Sequence, residues 1–343
     1  AHQLNERSTI QFKNSYSRFD RVITIPDYSF DALQQSSFSE LTWNRKEKKA
    51  DWVIGVNVLT DDLAENIQST DTAGDYHYNT FGIFIQNAWT ISDKLVLETG
   101  LRGDYVNEYG FELLPRISVM IGVLPKLTTR IGGGFGYKTP TIFTEEGKRV
   151  QFRNLLPIDI KRSKNERSIG GKWDINYRTT IGEVGVSINH LFFLTRLDRP
   201  LVLVNAPGNK FQFRNSDGHL DTKGMETNLR LIYGDLKLFI GYTYTDANTH
   251  FNDRKEWLPL TARHRLNNVL MYEKDEKWKL GLEAYYFSKQ QLNDGRFGKH
   301  YWIWGFMVER SWERLSLYIN FENFTDTRQS KFDSIFTGTI DNP

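Results

Sequence analysis

Between positions 138 and 167 the chain gathers Lys138, Lys148, Arg149, Arg153, Lys161, Arg162, Lys164 and Arg167. Against them stand Glu145, Glu146, Asp159 and Glu166, a local excess of four positive charges, with Phe143 and Phe152 interleaved. Clustered guanidinium and ammonium groups draw in an anion by long-range attraction and hold it through bidentate, charge-assisted hydrogen bonds. The other reading is a solvated segment whose charges keep it wet or meet lipid-borne phosphates.

Two more segments carry candidate contacts. Leu201-Val202-Leu203-Val204, Ala206-Pro207-Gly208-Asn209 and Phe211-Gln212-Phe213-Arg214 read as a β-hairpin around a Pro-Gly turn, with Arg214 at a rim. Phe251 and Trp257 flank the mixed-charge run Asp253-Arg254-Lys255-Glu256 and could line a vestibule. Reactive chemistry is sparse by comparison. His2, His77, His190, His219, His250, His264 and His300 show no i,i+2 or i,i+4 pairing, cysteine is absent, and only four Met occur, so no soft-metal site is visible. No Ser-His-Asp order, phosphate-binding loop or paired-carboxylate motif stands out. The chain therefore reads as a non-enzyme without a cofactor.

What positions these segments is a rhythm. Short polar turns at 45–50, 92–94, 124–126, 178–183, 233–236, 273–277 and 311–314 alternate with longer polar stretches at 20–36, 60–75, 138–165, 197–219, 246–262 and 288–300. Only 107–112 breaks the rule by being short. Each interval is one membrane-crossing strand long, and tight turns on one side with long loops on the other mark an antiparallel transmembrane β-barrel. About 15 candidate strands can be drawn this way.

Composition is compatible with that class. At 39% hydrophobic residues, and with no run of about 18 apolar positions, helical spans are excluded. A barrel tolerates the low value because half of each strand faces a polar lumen. Aromatic residues reach 14%, high for a soluble enzyme, and 44 basic against 42 acidic residues argues against general nucleic-acid binding. No apolar leader follows Ala1-His2-Gln3, so the expectation is an internal fragment whose export signal lies elsewhere.

Several strands alternate cleanly. Leu95, Leu97, Thr99, Leu101 and Tyr105 share one face, and Glu98, Gly100, Arg102 and Asp104 the other. Trp278, Leu280, Leu282, Ala284 and Tyr286 likewise oppose Lys279, Gly281, Glu283 and Tyr285, a pattern that a soluble sheet with one wet face would share. Trp43, Trp52, Trp89, Trp278 and Trp312 all sit in or near short turns, as an aromatic girdle at one membrane boundary requires, while Tyr301, Trp302 and Trp304 would serve the opposite rim. Inward positions fall to Glu98, Arg102, Arg130, Glu166, Glu226 and Arg230, which suit a charged wall facing a plug or water. Gly132, Gly134 and Gly136 would share that face, allowing close packing or a bend.

A resemblance then emerges from ordered motifs. Leu114-Pro115-Arg116 leads into Thr128-Thr129-Arg130-Ile131-Gly132-Gly133-Gly134-Phe135-Gly136-Tyr137-Lys138-Thr139-Pro140. Asn165-Glu166-Arg167-Ser168, Gly224-Met225-Glu226, Gly241-Tyr242-Thr243-Tyr244-Thr245-Asp246-Ala247, Leu258-Pro259-Leu260 before Arg263-His264, and Phe321-Glu322-Asn323-Phe324-Thr325-Asp326 follow. Spread over residues 76–330, these resemble strand starts and ends in the barrel of TonB-dependent outer-membrane receptors.

The resemblance implies that 1–343 is a partial receptor barrel: about 15 of about 22 strands, without the N-terminal plug domain, the early strands and the final strand. Strand parity leads to the same expectation. A first strand at about 8–19 and a last at 315–323 both run outward, so 324–343 is external and a returning strand is missing. Implied partners are outer-membrane lipid and lipopolysaccharide, the receptor's own plug, and TonB with its inner-membrane proton-motive complex. The implied activity is uptake of a scarce ligand across the bacterial outer membrane, a ferric siderophore foremost, with cobalamin or an oligosaccharide open. Haem is disfavoured, because receptors for it typically carry a histidine in the loop corresponding to 141–165, where this chain has none. Expected ligand contacts are Phe143, Lys148, Arg149, Phe152, Arg153, Arg214 and Trp257. The competing readings are a passive porin-like barrel and a secreted glycan-binding β-protein.

Overall fold

Period-2 alternation puts apolar residues on one face and polar residues on the other only while the backbone stays extended, and here it stays extended for unusually long stretches. The computed structural model describes residues 1–26, 28–66, 74–274 and 277–332. Its strands are His2–Asn5 (β1), Ser8–Ile25 (β2), Tyr28–Lys46 (β3), Ala50–Glu65 (β4), Tyr76–Ser92 (β5), Leu95–Val106 (β6), Gly110–Leu124 (β7), Leu127–Lys138 (β8), Glu166–Ile181 (β9) and Val184–Asp198 (β10). They continue with Leu201–Ala206 (β11), Lys210–Asn215 (β12), His219–Tyr233 (β13), Leu236–Phe251 (β14), Arg254–Trp257 (β15), His264–Lys274 (β16), Trp278–Phe287 (β17), Tyr301–Ser311 (β18) and Ser316–Phe321 (β19). A five-residue helix α1, Glu145–Arg149, lies between β8 and β9.

The strands β11 and β12 form their own hairpin, and β1 and β15 are strips of four residues beside β2 and β14. The other fifteen make one antiparallel meander, each paired to its sequence neighbour, in agreement with the strand rhythm. Among the described residues no register pairing closes the last strand onto the first. The tight turns also match, with 93–94, 125–126, 182–183 and 234–235 joining consecutive strands. Positions 275–276 of the turn at 273–277, 67–73 of the stretch at 60–75 and 333–343 of the tail lie outside the described residues.

One expectation needs correction. Residues 20–36 are not a long loop: β2 and β3 run through them and leave only 26–27 between the strands. At 19 residues β3 far exceeds the roughly 9–11 that a tilted crossing takes, so its upper part stands clear of lipid. The outward face records the boundary. Val58, Phe81, Tyr105 and Phe111 form a cross-strand row of exposed apolar side chains, and the next row up is Ser37, Thr60 and Asn79. At the opposite end Trp43, Trp52, Trp89 and Trp278 share the outward face near the short turns, and Arg310 lies over Trp278 at 4.5 Å.

The inward face is kept flat by glycine. Side chains of neighbouring strands lie across bare backbone: the Phe84 ring over Gly55, the Arg116 stem along Gly100, and Phe193 over Gly224. A Cβ at Gly224 would sit 2.0 Å from the Tyr244 carbonyl and 2.7 Å from Phe193, so any side chain there must displace the wall. Gly224→Ala is expected to cost about 1–3 kcal/mol through overpacking and to lower the temperature at which the receptor loses its heat-modifiable mobility on gels. Gly185→Ala, whose Cβ would meet nothing nearer than 3.8 Å, should leave that temperature unchanged. Equal behaviour of the two variants would contradict the flat-wall account.

Candidate functional site

At the long-loop end, strand alternation continues above the apolar belt and supplies apolar, mostly aromatic residues to the inward side: Tyr28, Phe30 and Ala32 on β3, Tyr76 and Tyr78 on β5. The segment after β8 folds onto them. Thr144 caps α1, its Oγ1 accepting from the Gly147 N–H at 3.0 Å. The chain then turns through Gln151, Phe152 and Asn154, which hold φ of 54°, 59° and 54° in the left-handed region. Such residues cost on the order of 1–3 kcal/mol each unless the surroundings fix them. Here they do. The Phe152 ring is buried, stacked on Phe30 at 4.6 Å and edge-on to Phe143 at 5.6 Å, and the Tyr28 hydroxyl donates to the Phe152 carbonyl at 2.9 Å.

Next, 154–156 runs beside β12. The Phe211 N–H donates to Asn154 O and the Leu156 N–H to Phe211 O, both at 2.8 Å. The β11–β12 hairpin contributes Leu201 and Phe213 to the same cluster as Phe30, Leu63, Tyr76, Ile142 and Phe152. This cluster is the largest apolar core of the described residues, and it holds loop, hairpin and strand tops as one body. Its base is pinned by buried carboxylates. Glu166 accepts from the Leu201 N–H at 2.6 Å, and Glu112 takes Arg167 at 2.9 and 3.1 Å and Asn165 at 3.0 Å.

Of the expected ligand contacts, Phe143, Lys148, Arg149, Phe152 and Arg153 are brought together by this loop. Lys148 and Arg149 are exposed in the last turn of α1, with Lys148 reaching Glu145 at 2.7 Å. Arg153 lies over the Tyr28 ring at 5.8 Å. Phe143 is half-buried at the edge of the cluster, whereas Phe152 is one of its central packing residues and presents almost no surface. Arg214 is exposed on the hairpin. Trp257 sits elsewhere, on β15, where Arg263 covers its ring at 3.3 Å and Phe297 meets it edge-on at 5.3 Å.

Electrostatics follow burial. The Tyr28 hydroxyl is pushed up to about 12 by desolvation and by Glu65, with Arg153 opposing. Burial also raises the Glu146 carboxyl, against the pull of Arg149, while Glu166 adds to the rise and Lys138 opposes it.

The wall residues lie on the inward face in register. Arg102 donates to Asp104 at 2.9 Å and to Asn57 at 3.2 Å, and the Tyr137 hydroxyl donates to Asp104 at 3.0 Å. Glu226 accepts from Asn228 at 2.6 Å, and Arg230 lies over Phe239 at 5.4 Å. Glu166, as above, is roofed by the hairpin. Glu98 and Arg130 line a depression with Arg116 and Lys172. Sequence reasoning missed the aromatic strand tops, although the i,i+2 pairs Tyr28/Phe30 and Tyr76/Tyr78 beside loops are a usable signal. It also missed a histidine pair: His219 and His250, apart in sequence, stack at 4.4 Å across β13–β14, with His250 Nε2 2.7 Å from Asp221. Among the described residues no group of three His, Cys, Asp or Glu is disposed to hold a metal ion.

A family model described as TonB dependent receptor-like, beta-barrel matches residues 1–324. Among solved structures, the chain is similar to a mutant of the ferric enterobactin receptor PfeA from Pseudomonas aeruginosa, with 15% identity and a TM-score of 0.70 over 94% of this chain and 54% of that one. The ferric-catecholate import receptor Fiu from E. coli gives 13% identity and a TM-score of 0.70 over 95% and 58%. The copper transporter OprC gives 13% and 0.72 over 95% and 58%. The chain thus spans little more than half the length of these proteins, and identities this low speak to the fold alone.

Two outcomes test the cluster. Phe152→Ala should cost about 3–5 kcal/mol locally, seen as faster amide hydrogen exchange at 142–156 and 201–213 with β6–β8 unaffected. Unchanged protection of the loop would refute its anchoring role. Because the folded state raises the Glu146 pKa, its contribution is fully present below the ordinary carboxylate range and is lost as pH rises through the shifted value. A dye at Lys161→Cys should therefore report a looser loop at pH 8 than at pH 5, and Glu146→Gln should abolish that difference.

Proposed function

This chain belongs to the TonB-dependent receptor family, whose barrels lie in the bacterial outer membrane, and we propose that its long-loop end is extracellular and captures a ferric siderophore for uptake. The observation that carries this reading is the packed loop at 139–165. It holds Lys148 and Arg149 on an exposed turn, with Arg153 beside them and Phe143 at the edge. A ferric complex built from catecholate or carboxylate donors is an anion with flat apolar faces. Fixed cations next to a ring suit it, because loops held on a rigid base bind without first having to be ordered.

The shared fold does not select the cargo, since proteins described as ferric-siderophore receptors and as a copper transporter share it. The basic loop is what supports the ferric-siderophore reading here. In the full receptor a plug closes the bore, and TonB, driven by the inner-membrane proton-motive complex, moves it once the loops are loaded. The short turns then face the periplasm, and lipopolysaccharide surrounds the strand tops. The protein acts as a transporter; none of these steps is enzymatic.

Lys148→Glu with Arg149→Glu should weaken binding of anionic ferric catecholates to the purified receptor by roughly tenfold or more, with a steep salt dependence in the parent. Arg153 is left in place, because it lies over the Tyr28 ring and its loss would disturb the packing of the loop. Unchanged affinity would remove the loop from the binding site. Saturable binding of cobalamin or a neutral oligosaccharide, insensitive to both charge and salt, would overturn the cargo.

A further inference from the structure

Several basic side chains on the inward wall find an acid within the sheet. Arg102 meets Asp104 at 2.8 Å, Lys237 meets Glu273 at 2.5 Å and Lys279 meets Glu309 at 3.5 Å. Arg116, Arg130 and Lys172 break this pattern. Among the described residues none of the three forms an ion pair, and Arg130 reaches only the Met120 sulfur at 3.6 Å. Asp174, opposite Arg130 in the β8–β9 register, accepts from Asn176 at 2.7 Å instead.

The three cations converge on one depression in the inward wall, with a volume of about 440 Å³. Its floor is bare backbone. Gly134 and Gly170 face each other across β8 and β9, where a Cβ would come within 3.0 Å of Arg116 and 3.2 Å of the Thr195 hydroxyl. Phe193 and Thr195 close one side, and Glu98 is the single acid in the lining.

We propose that this depression is an anion-binding site in the wall of the bore, taking a carboxylate- or phosphate-class group. Its volume lies in the range of about 300–1,000 Å³ that small-molecule sites occupy. Three cations without ion pairs against one lining acid, gathered on a concave surface, focus a positive field on it. Arginine offers the planar fork that such oxyanions accept. The glycine floor supplies the room, since any side chain at Gly134 or Gly170 would fill it. The anion is either a solute in the bore or an acidic side chain of the receptor's own polypeptide seated against the wall; both present the same chemistry. The site rests on the inward orientation of β6–β10 and not on the cargo assigned to the mouth.

The test uses the receptor in outer-membrane preparations, cysteine-free apart from Thr195→Cys, treated with a sulfonate- or an ammonium-bearing methanethiosulfonate. The sulfonate reagent should react on the order of tenfold faster, as a focused positive field requires, and millimolar inorganic phosphate should slow it. Replacing Arg116, Arg130 and Lys172 together by Gln should erase the preference. Lys172→Gln alone, at an exposed position, should reduce it if the triple variant fails to assemble. Should neither reagent react in the parent but both react in the triple variant, the anion is the receptor's own and the site stands. Equal rates in the parent, or a preference that survives neutralisation, would overturn it. The Lys148→Glu, Arg149→Glu variant leaves the labelling ratio untouched, so failure here is separable from failure of the capture site.

Discussion

A strand that crosses hydrocarbon has no solvent for its N–H and C=O groups, so each must be met by the strand beside it. The continuous register from β2 to β19 is the direct answer to that demand, and the site at the long-loop end depends on where it is relaxed. The pairing of β7 with β8 stops at Arg116↔Gly134, next to Pro115, which has no N–H to give. Above that point β7 continues with β6 and β8 with β9. Side chains take over the role of the ladder there: Glu112 gathers Arg167 and Asn165, and Tyr137 reaches Asp104. The ladder stops a few residues below the Tyr105–Phe111 row, the contacts of Glu112 and Asp104 lie level with that row, and the loop at 139–165 departs from the same end of the sheet.

The membrane-spanning part of the fold was legible because lipid enforces one apolar face, and an apolar face at period 2 is visible in a bare sequence. The strand tops were not. Gln34, Gln35, Ser36 and Ser37 pair with Thr60 through Leu63 on β4, yet both faces there are wet or covered by polar groups, so alternation vanishes and the segment reads as loop. The Gln34 amide and the Ser36 hydroxyl both bond Asp61, at 2.8 and 2.9 Å, which shows what replaces hydrophobicity as the organising force.

The candidate site was legible in its charges and illegible in its interior. A run of Lys and Arg announces itself, but Phe152 and Phe143 differ in role only because Phe30 and Tyr28, more than a hundred positions earlier, receive one ring and leave the other at the edge. Pairing states of wall cations are hidden in part. Arg102 has Asp104 two residues along its own strand, but only cross-strand register shows that Arg116 lies along the bare backbone of Gly100. The histidine pair on β13 and β14 belongs to the same category, because register, not spacing, stacks the rings.

Flatness of the wall and pairing of several of its charges work together. Phe84, Arg116 and Phe193 lie along glycine backbone, and several inward cations are tied to acids of the same sheet, so much of the surface offers little to hold a passing or packed group. Against such a surface a hollow that gathers three cations without ion pairs is conspicuous. The mouth differs in kind. Lys148 and Arg149 stand in open solvent, where attraction beyond about 8–10 Å is screened at physiological salt, so they act by raising encounter and by contact at short range. The wall hollow gathers its cations on a concave surface, but Arg116 and Lys172 are exposed as well, so salt weakens its attraction too. A receptor built this way presents separate cations on an open turn at its entrance and cations gathered around a concave hollow below it. That division follows from shape, whichever anion the cargo proves to be.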